Sequence, residues 1–326
     1  MQVPMLKRAK RIRRAKFHNL HPHPPHDFAG VVRWKLGWSL ERPSTLVAAG
    51  LMHALASPEA QPAKEALSRE KIRLTWIGHS TFLIQHQGLN ILTDPIFGDC
   101  QPVPVGRMKR SSAPGMRFED LPPIHHVLIS HSHYDHLDAP TIRALGKRVQ
   151  FWVPEGLSPW FLRRGIATCQ ELAWGQSAKL SEGITIHSVP AQHGSARTLF
   201  DRNRSHWCGW VVESADRRAY FAGDTGYAPI FREIGERFGS FDLAMIPIGC
   251  YNPRWLMQPV HLNPADAVQV HLDVHSRLSV ACHWGTFRLA DEPIEEPPAL
   301  LAHELARLQI DRSSFLAIQP GHAVEV

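Results

Sequence analysis

His131-Ser132-His133-Tyr134-Asp135-His136-Leu137-Asp138 follows directly on the apolar run Val127-Leu128-Ile129-Ser130. Imidazole and carboxylate are the ligands that borderline divalent ions such as zinc accept, and four of them within six residues crowd a loop with groups that need a cationic partner. His131 and His133, two residues apart, point the same way from an extended strand end, whereas Asp135 and His136 lie past the bend and face elsewhere. One such motif can feed two metal ions, and a metal pair at the end of a buried strand points to hydrolysis.

Four residues do not complete two coordination spheres, so further ligands must arrive from later strand ends. Three residues have that placement: His193 in Val189-Pro190-Ala191-Gln192-His193-Gly194, Asp224 in Tyr220-Phe221-Ala222-Gly223-Asp224-Thr225-Gly226, and His283 in Val280-Ala281-Cys282-His283-Trp284-Gly285. Each is a polar residue ending an apolar run with a glycine within two residues. Asp94, which ends another such run, is placed either to accept a hydrogen bond from a ligand imidazole and fix its tautomer, or to make an Asx turn before Pro95. Tyr134 and His79 read as packing residues, His79 in a Gly-His-Ser turn under the site, and neither is assigned chemistry.

The elements that must position these side chains begin at Ile72. Short β-rich runs punctuated by Gly and Pro cover residues 72–77, 81–86, 89–93, 127–130, 149–153, 183–190, 207–213, 218–222, 243–248 and 278–282. Helical patterns are interleaved at 139–145, 228–238, 264–272 and 298–308. Many strands with scattered helices predict a mixed α/β (α+β) fold in which two sheets are covered by helices, a four-layer αββα sandwich. Residues 1–70 have another texture: a basic arm, a His/Pro stretch at 21–26 that reads as a linker, and two possible helices at 29–40 and 45–56. They are expected to form an extension packed on a hydrolase domain at 71–326.

The 326 residues are 44% hydrophobic and 20% charged, ordinary for a globular chain. The net charge of +6 is local: seven basic residues and no acid precede Phe17, leaving 29 basic against 30 acidic residues elsewhere. Such an arm suits anionic lipid headgroups or nucleic acid, or is a solvated tail. No basic stripe interleaved with aromatics follows, so nucleic acid is not expected as a partner. The five cysteines, Cys100, Cys169, Cys208, Cys250 and Cys282, are dispersed and form no CxxC pair, which fits a reducing compartment. No apolar run reaches bilayer-spanning length, and the basic arm leads into a Pro/His stretch instead of an apolar core. Cytoplasmic residence, with possible peripheral contact at a membrane, is the expectation.

The order HxHxDH, His193, Asp224, His283 resembles the metallo-β-lactamase superfamily. Trp76-Ile77-Gly78-His79-Ser80-Thr81, Thr93-Asp94-Pro95-Ile96-Phe97, Pro190-Ala191-Gln192-His193, Phe221-Ala222-Gly223-Asp224-Thr225-Gly226-Tyr227 and His283-Trp284-Gly285-Thr286-Phe287 are similar to the N-acylphosphatidylethanolamine-hydrolysing phospholipase D family. The likeness runs from Lys16-Phe17-His18-Asn19 and Arg33-Trp34 to the carboxyl terminus. It implies two Zn2+, with Mn2+ or Fe2+ as alternatives: His131, His133 and His193 on one ion, Asp135, His136 and His283 on the other, and Asp224 as bridge. It further implies a metal-held hydroxide as nucleophile, kept in place through Asp135 and Asp224, and His261 as a substrate contact. The implied reaction converts a membrane N-acylphosphatidylethanolamine to an N-acylethanolamine and phosphatidic acid, by a chain that is a possible homodimer. The segment 195–204 keeps the family's Arg-Thr pair among further basic residues, suiting an anionic headgroup or a solvated loop. A lactonase or small phosphoesterase of the same superfamily is the alternative, and a nuclease a distant one.

Overall fold

The computed structural model describes residues 16–23, 28–36, 70–101, 106–198 and 200–326. A short helix, α1 (Phe28–Lys35), precedes an antiparallel meander of β1 (Ile72–Gly78), β2 (Thr81–His86) and β3 (Leu89–Thr93). β4 (His126–Leu128), α2 (Ala139–Leu145), β5 (Gln150–Pro154), α3 (Ser158–Leu162) and β6 (Cys169–Leu172) follow, each of these strands parallel to the one before it. The second half starts antiparallel with β7 (Ser177–Lys179), β8 (Thr185–Val189), β9 (Gly209–Glu213) and β10 (Arg218–Phe221). After α4 (Ile230–Phe238) it turns parallel through β11 (Phe241–Pro247), the helices α5 (Arg254–Met257) and α6 (Pro264–Asp273), β12 (Ser276–Cys282), α7 (Glu296–Arg307) and β13 (Phe315–Leu316). β14 (Ala323–Glu325) returns to the edge of the first sheet beside β1. Two mixed sheets result, each seven-stranded, in the orders β14-β1-β2-β3-β4-β5-β6 and β13-β12-β11-β10-β9-β8-β7.

Burial explains the layering. β11 is buried at all seven positions and sits between two parallel neighbours, as a strand covered on both faces should. Leu74, Trp76, Ile84 and Leu128 of the first sheet share one apolar cluster with Ile186, Trp210, Val212 and Tyr220 of the second, so the sheets pack face to face. On the outer face of the first sheet, Ile142 of α2 and Trp160 and Phe161 of α3 pack with Leu83, Leu92 and Phe151. Phe231 and Ile234 of α4, Val268 of α6 and Leu305 of α7 join the cluster that includes the second sheet. This is the expected helix-covered double sheet. α6 starts where its chemistry says it should: Asn263 and Asp266 form a reciprocal capping box and Pro264 occupies the first helical turn.

All ten expected strands appear, mostly with ends shifted by one or two residues. The short strands β6, β7, β13 and β14, and the helices α3 and α5, are additions of two to five residues each. The helix expected at 29–40 is seen as α1, its last residues and the whole of 45–56 lying outside the described residues. The five cysteines are free thiols, and among the described residues no helix is long and apolar enough to cross a membrane.

The strand directions decide where chemistry can occur. β1, β3 and β4 run the same way in the first sheet, as do β8, β10 and β12 in the second. Their carboxyl ends lead to residues 79, 94, 131–136, 193, 224 and 283 respectively. Two cross-sheet hydrogen bonds hold these ends together, Cys208 N–H to the Ser130 carbonyl at 2.9 Å and His283 N–H to the His79 carbonyl at 3.0 Å.

Burial also makes the fold acid-sensitive away from that rim. His126, His206 and His271 are each pushed down to about 4, chiefly by desolvation. Unfolded, each takes up a proton near the ordinary histidine value of about 6.5. Between those values the unfolded chain binds more protons, so stability is full above about pH 6.5 and is lost as pH falls toward 4. The thermal midpoint, followed by circular dichroism, should fall over that window. His271→Gln should flatten the slope, and an unchanged slope would exclude His271 as a contributor.

Candidate metal centre

One oxygen of Asp224 is the focus of the site. His283 Nε2 lies 3.1 Å from Asp224 Oδ2, His136 Nε2 3.2 Å, His193 Nε2 3.8 Å, His261 Nδ1 3.9 Å and His131 Nε2 4.0 Å. Asp135 Oδ2 lies 3.3 Å from His136 Nε2, 3.4 Å from His283 Nε2 and 2.9 Å from His79 Nε2. On the other side, His133 Nδ1 is 2.8 Å from His131 Nε2 and 3.2 Å from His193 Nε2. His131, His133 and His193 thus form one potential metal-holding group, and Asp135, His136 and His283, with His79, another. Asp224 lies between them. All seven residues read from the sequence as ligands come together, and His261 and Asp94 stand beside them.

The backbone is bent to make this possible. His79, Asp94 and His283, all at strand ends, have φ of 54°, 34° and 59°, in the left-handed region that non-glycine residues rarely occupy. Gly223, at φ 63°, precedes Asp224, and a Cβ there would stand 2.7 Å from Ser130 Cβ and 3.0 Å from the Cys208 carbonyl. Only glycine lets β10 deliver Asp224 this close to the HxHxDH loop.

Outer partners aim the rings. Asp94, fully buried, accepts from Ser130 N–H at 2.7 Å and from His136 Nδ1 at 2.7 Å, so loss of the remaining proton exposes an Nε2 lone pair toward Asp135 and Asp224. His193 donates Nδ1–H to the Val260 carbonyl at 2.9 Å, which leaves its Nε2 lone pair facing His133. Asp94 is therefore more than a turn residue.

Electrostatics divides the cluster. Burial holds His131 well below the ordinary histidine range and His193 at about 3, so these rings are neutral, the form a metal requires. Burial opposes charge on His283 too, but Asp224 and Asp135 outweigh it and raise the ring to about 9; His136 is raised in the same way. Burial would raise the carboxyl groups of Asp224 and Asp135, yet the neighbouring imidazoles hold both well below the usual range. Two carboxylates thus draw positive charge into a buried space, the task a divalent cation performs. His136 Nε2, His283 Nε2 and Asp224 Oδ1 are buried and make no hydrogen bond, atoms that metal coordination would satisfy. The donor set fits a pair of divalent ions.

Two contributors had little local signal. His79, expected only to pack, meets Asp135 at 2.9 Å and lies against the His283 ring at 4.2 Å between centroids. Arg197, in the basic segment 195–204, is tied into the fold: its Nη1 donates to the carbonyls of Ser132 at 2.9 Å and Leu137 at 2.7 Å, and its guanidinium lies 3.9 Å from the Tyr134 ring centroid. It clamps the HxHxDH loop from behind, with Tyr134 as its packing surface. A cavity of about 250 Å³ opens beside His133, His193 and His261, and Asn19, His23 and Arg202 also line it.

A double sheet with this histidine and aspartate cluster on its rim defines a metal-dependent hydrolase of the β-lactamase superfamily, and residues 89–284 match the family described as Beta-lactamase superfamily domain. The fold is shared with the isothiocyanate hydrolase from Delia radicum gut bacteria, at a TM-score of 0.63 and 20% identity over 77% of this chain and 98% of that one. The N-acyl-phosphatidylethanolamine-hydrolyzing phospholipase D 1 of Caenorhabditis elegans is 40% identical over 77% of this chain and 75% of its own length. The mitochondrial N-acyl-phosphatidylethanolamine-hydrolyzing phospholipase D of Saccharomyces cerevisiae is 35% identical over 68% of this chain and 49% of its own. The chain belongs to the N-acyl-phosphatidylethanolamine-hydrolyzing phospholipase D family within that superfamily.

Proposed function

We propose that this hydrolase is a dinuclear zinc phosphodiesterase that cleaves N-acylphosphatidylethanolamine to an N-acylethanolamine and phosphatidic acid. The observation that carries the reading is Asp224 Oδ2, within 4.0 Å of imidazole nitrogens from both ligand groups. His131, His133 and His193 would hold one ion, Asp135, His136 and His283 the other, and Asp224 would bridge them. Bound there, two divalent ions lower the pKa of water toward about 7 and neutralise charge on a phosphoryl group.

The chain's own residues supply the rest. Asp94 and the Val260 carbonyl keep His136 and His193 turned inward, Arg197 fixes the loop, and His261 faces the cavity where the phosphoryl group would sit. Residues 1–70 would act as an extension on the hydrolase domain 71–326, and the basic arm, of which Lys16 alone lies within the described residues, would suit an anionic membrane surface reached from the cytoplasm. The substrate is supported by the family relatives, whose names state that chemistry.

The test is release of N-acylethanolamine by purified protein from mixed micelles of N-acylphosphatidylethanolamine, with two zinc per chain by elemental analysis. A second reading, hydrolysis of a lactone or a small phosphoester, is favoured by one feature: among the described residues Asn19, His23, His133, His193, Arg202 and His261 bring polar groups to the cavity wall. Turnover of small lactones with no release from lipid micelles would establish it in place of the first.

A further inference from the structure

Residues 16–23 lie against the metal centre, although they are far from it in sequence. Phe17 N–H bonds the Asn203 carbonyl at 3.0 Å, the Phe17 ring stacks on His206 at 4.5 Å, and the His21 carbonyl accepts from Gln192 Nε2 at 2.9 Å. Between these anchors the Asn19 amide makes four hydrogen bonds. Its Oδ1 accepts from His193 N–H at 3.1 Å and from the Trp207 indole at 2.8 Å; its Nδ2 donates to the His193 carbonyl at 2.8 Å and to His23 Nε2 at 2.8 Å. Two donors and two lone pairs are all a primary amide offers, so Asn19 is saturated. A backbone N–H on one end and a carbonyl on the other leave no flipped alternative. His23 Nε2 must therefore accept, and its ring carries the proton on Nδ1.

His193 is fixed through both its ring and its backbone, the ring also meeting His133 Nδ1 at 3.2 Å. Its ring is tied to the Val260 carbonyl and both polar groups of its backbone to Asn19. We propose that Asn19 is a positioning residue that fixes His193 as a metal ligand, and that the segment carrying it is a wall of the substrate cavity with His23 as a contact for an anionic phosphoryl group. The inference rests on the reading of His193 as a ligand. Cavity lining supports its second half, since Asn19 and His23 share that wall with His133, His193 and His261.

The test uses Asn19→Ala and Asn19→Asp in the full chain, with zinc affinity measured by chelator competition and normalised to folded protein by circular dichroism. Loss of an outer partner of a ligand typically weakens metal binding by about 10-fold to 100-fold, and both variants should fall in that range. Asn19→Asp is the sharper of the two, because it keeps the shape and adds negative charge near the metal yet sets a carboxylate oxygen against the His193 carbonyl. A role confined to fold stability would lower the thermal midpoint and leave zinc affinity alone. His23→Gln should keep zinc affinity and raise KM for bis-para-nitrophenyl phosphate several-fold with kcat little changed. Parent-like zinc binding in both Asn19 variants overturns the positioning role alone, and an unchanged KM in His23→Gln overturns the contact. A parent chain that binds no zinc overturns the metal reading and this inference with it.

Discussion

Asp224→Asn should lower kcat/KM by about 10²-fold to 10³-fold while the protein stays folded, the scale seen when a group that stabilises reacting charge is removed. The side chain is buried, so the isosteric amide disturbs little packing. What changes is charge. Asp224 Oδ2 faces imidazoles of both ligand groups, 3.1 Å from His283 and 3.8 Å from His193. An amide oxygen keeps one weak donor toward a single ion, and the NH2 end presents protons where a lone pair is required. Elemental analysis should then show fewer than two metal ions per chain, with circular dichroism unchanged. Undiminished turnover with full metal content would sink the bridging assignment.

The same residue shows why so much of the centre was legible in the sequence. His131 to His136 announce themselves locally, because a strand end and a bend put two pairs of ligands on two sides. His193, Asp224 and His283 were legible because each follows an apolar strand end with a glycine within two residues, and a fully buried strand such as β11 carries a long apolar run. The short edge strands do not: β7 is Ser-Ala-Lys, with two of its three residues exposed, so its pairing with β8 leaves no pattern. His79 and Arg197 were harder for another reason. Their partners lie 56 residues away for His79 and 60 to 65 for Arg197, across loops whose approach depends on the packing of two sheets. Asn19 is the extreme case, 174 residues from the backbone it holds, and no spacing rule reaches that far.

Asp94→Asn tests how far such outer groups govern the metal. The carboxylate accepts from Ser130 N–H at 2.7 Å, from the Ser130 hydroxyl, and from His136 Nδ1 at 2.7 Å. An asparagine that keeps its oxygen on the Ser130 N–H must turn its NH2 toward His136 Nδ1. Two donors then face each other, and the ring escapes the clash by moving its proton to Nε2, so that Nδ1 accepts. That tautomer aims an N–H at Asp135 and Asp224 where a lone pair should meet a cation. Changing only the hydrogen-bond partner of a working imidazole can disable it with its geometry intact. Zinc affinity should fall about 10-fold to 100-fold, chiefly for one of two ions. Competition titration would show this as two unequal binding steps in place of the parent's pattern. Asp94→Asn,His136→Gln should then add little to His136→Gln, because residues acting as a unit are not additive. Additive losses would mean that Asp94 serves the fold and not the ring.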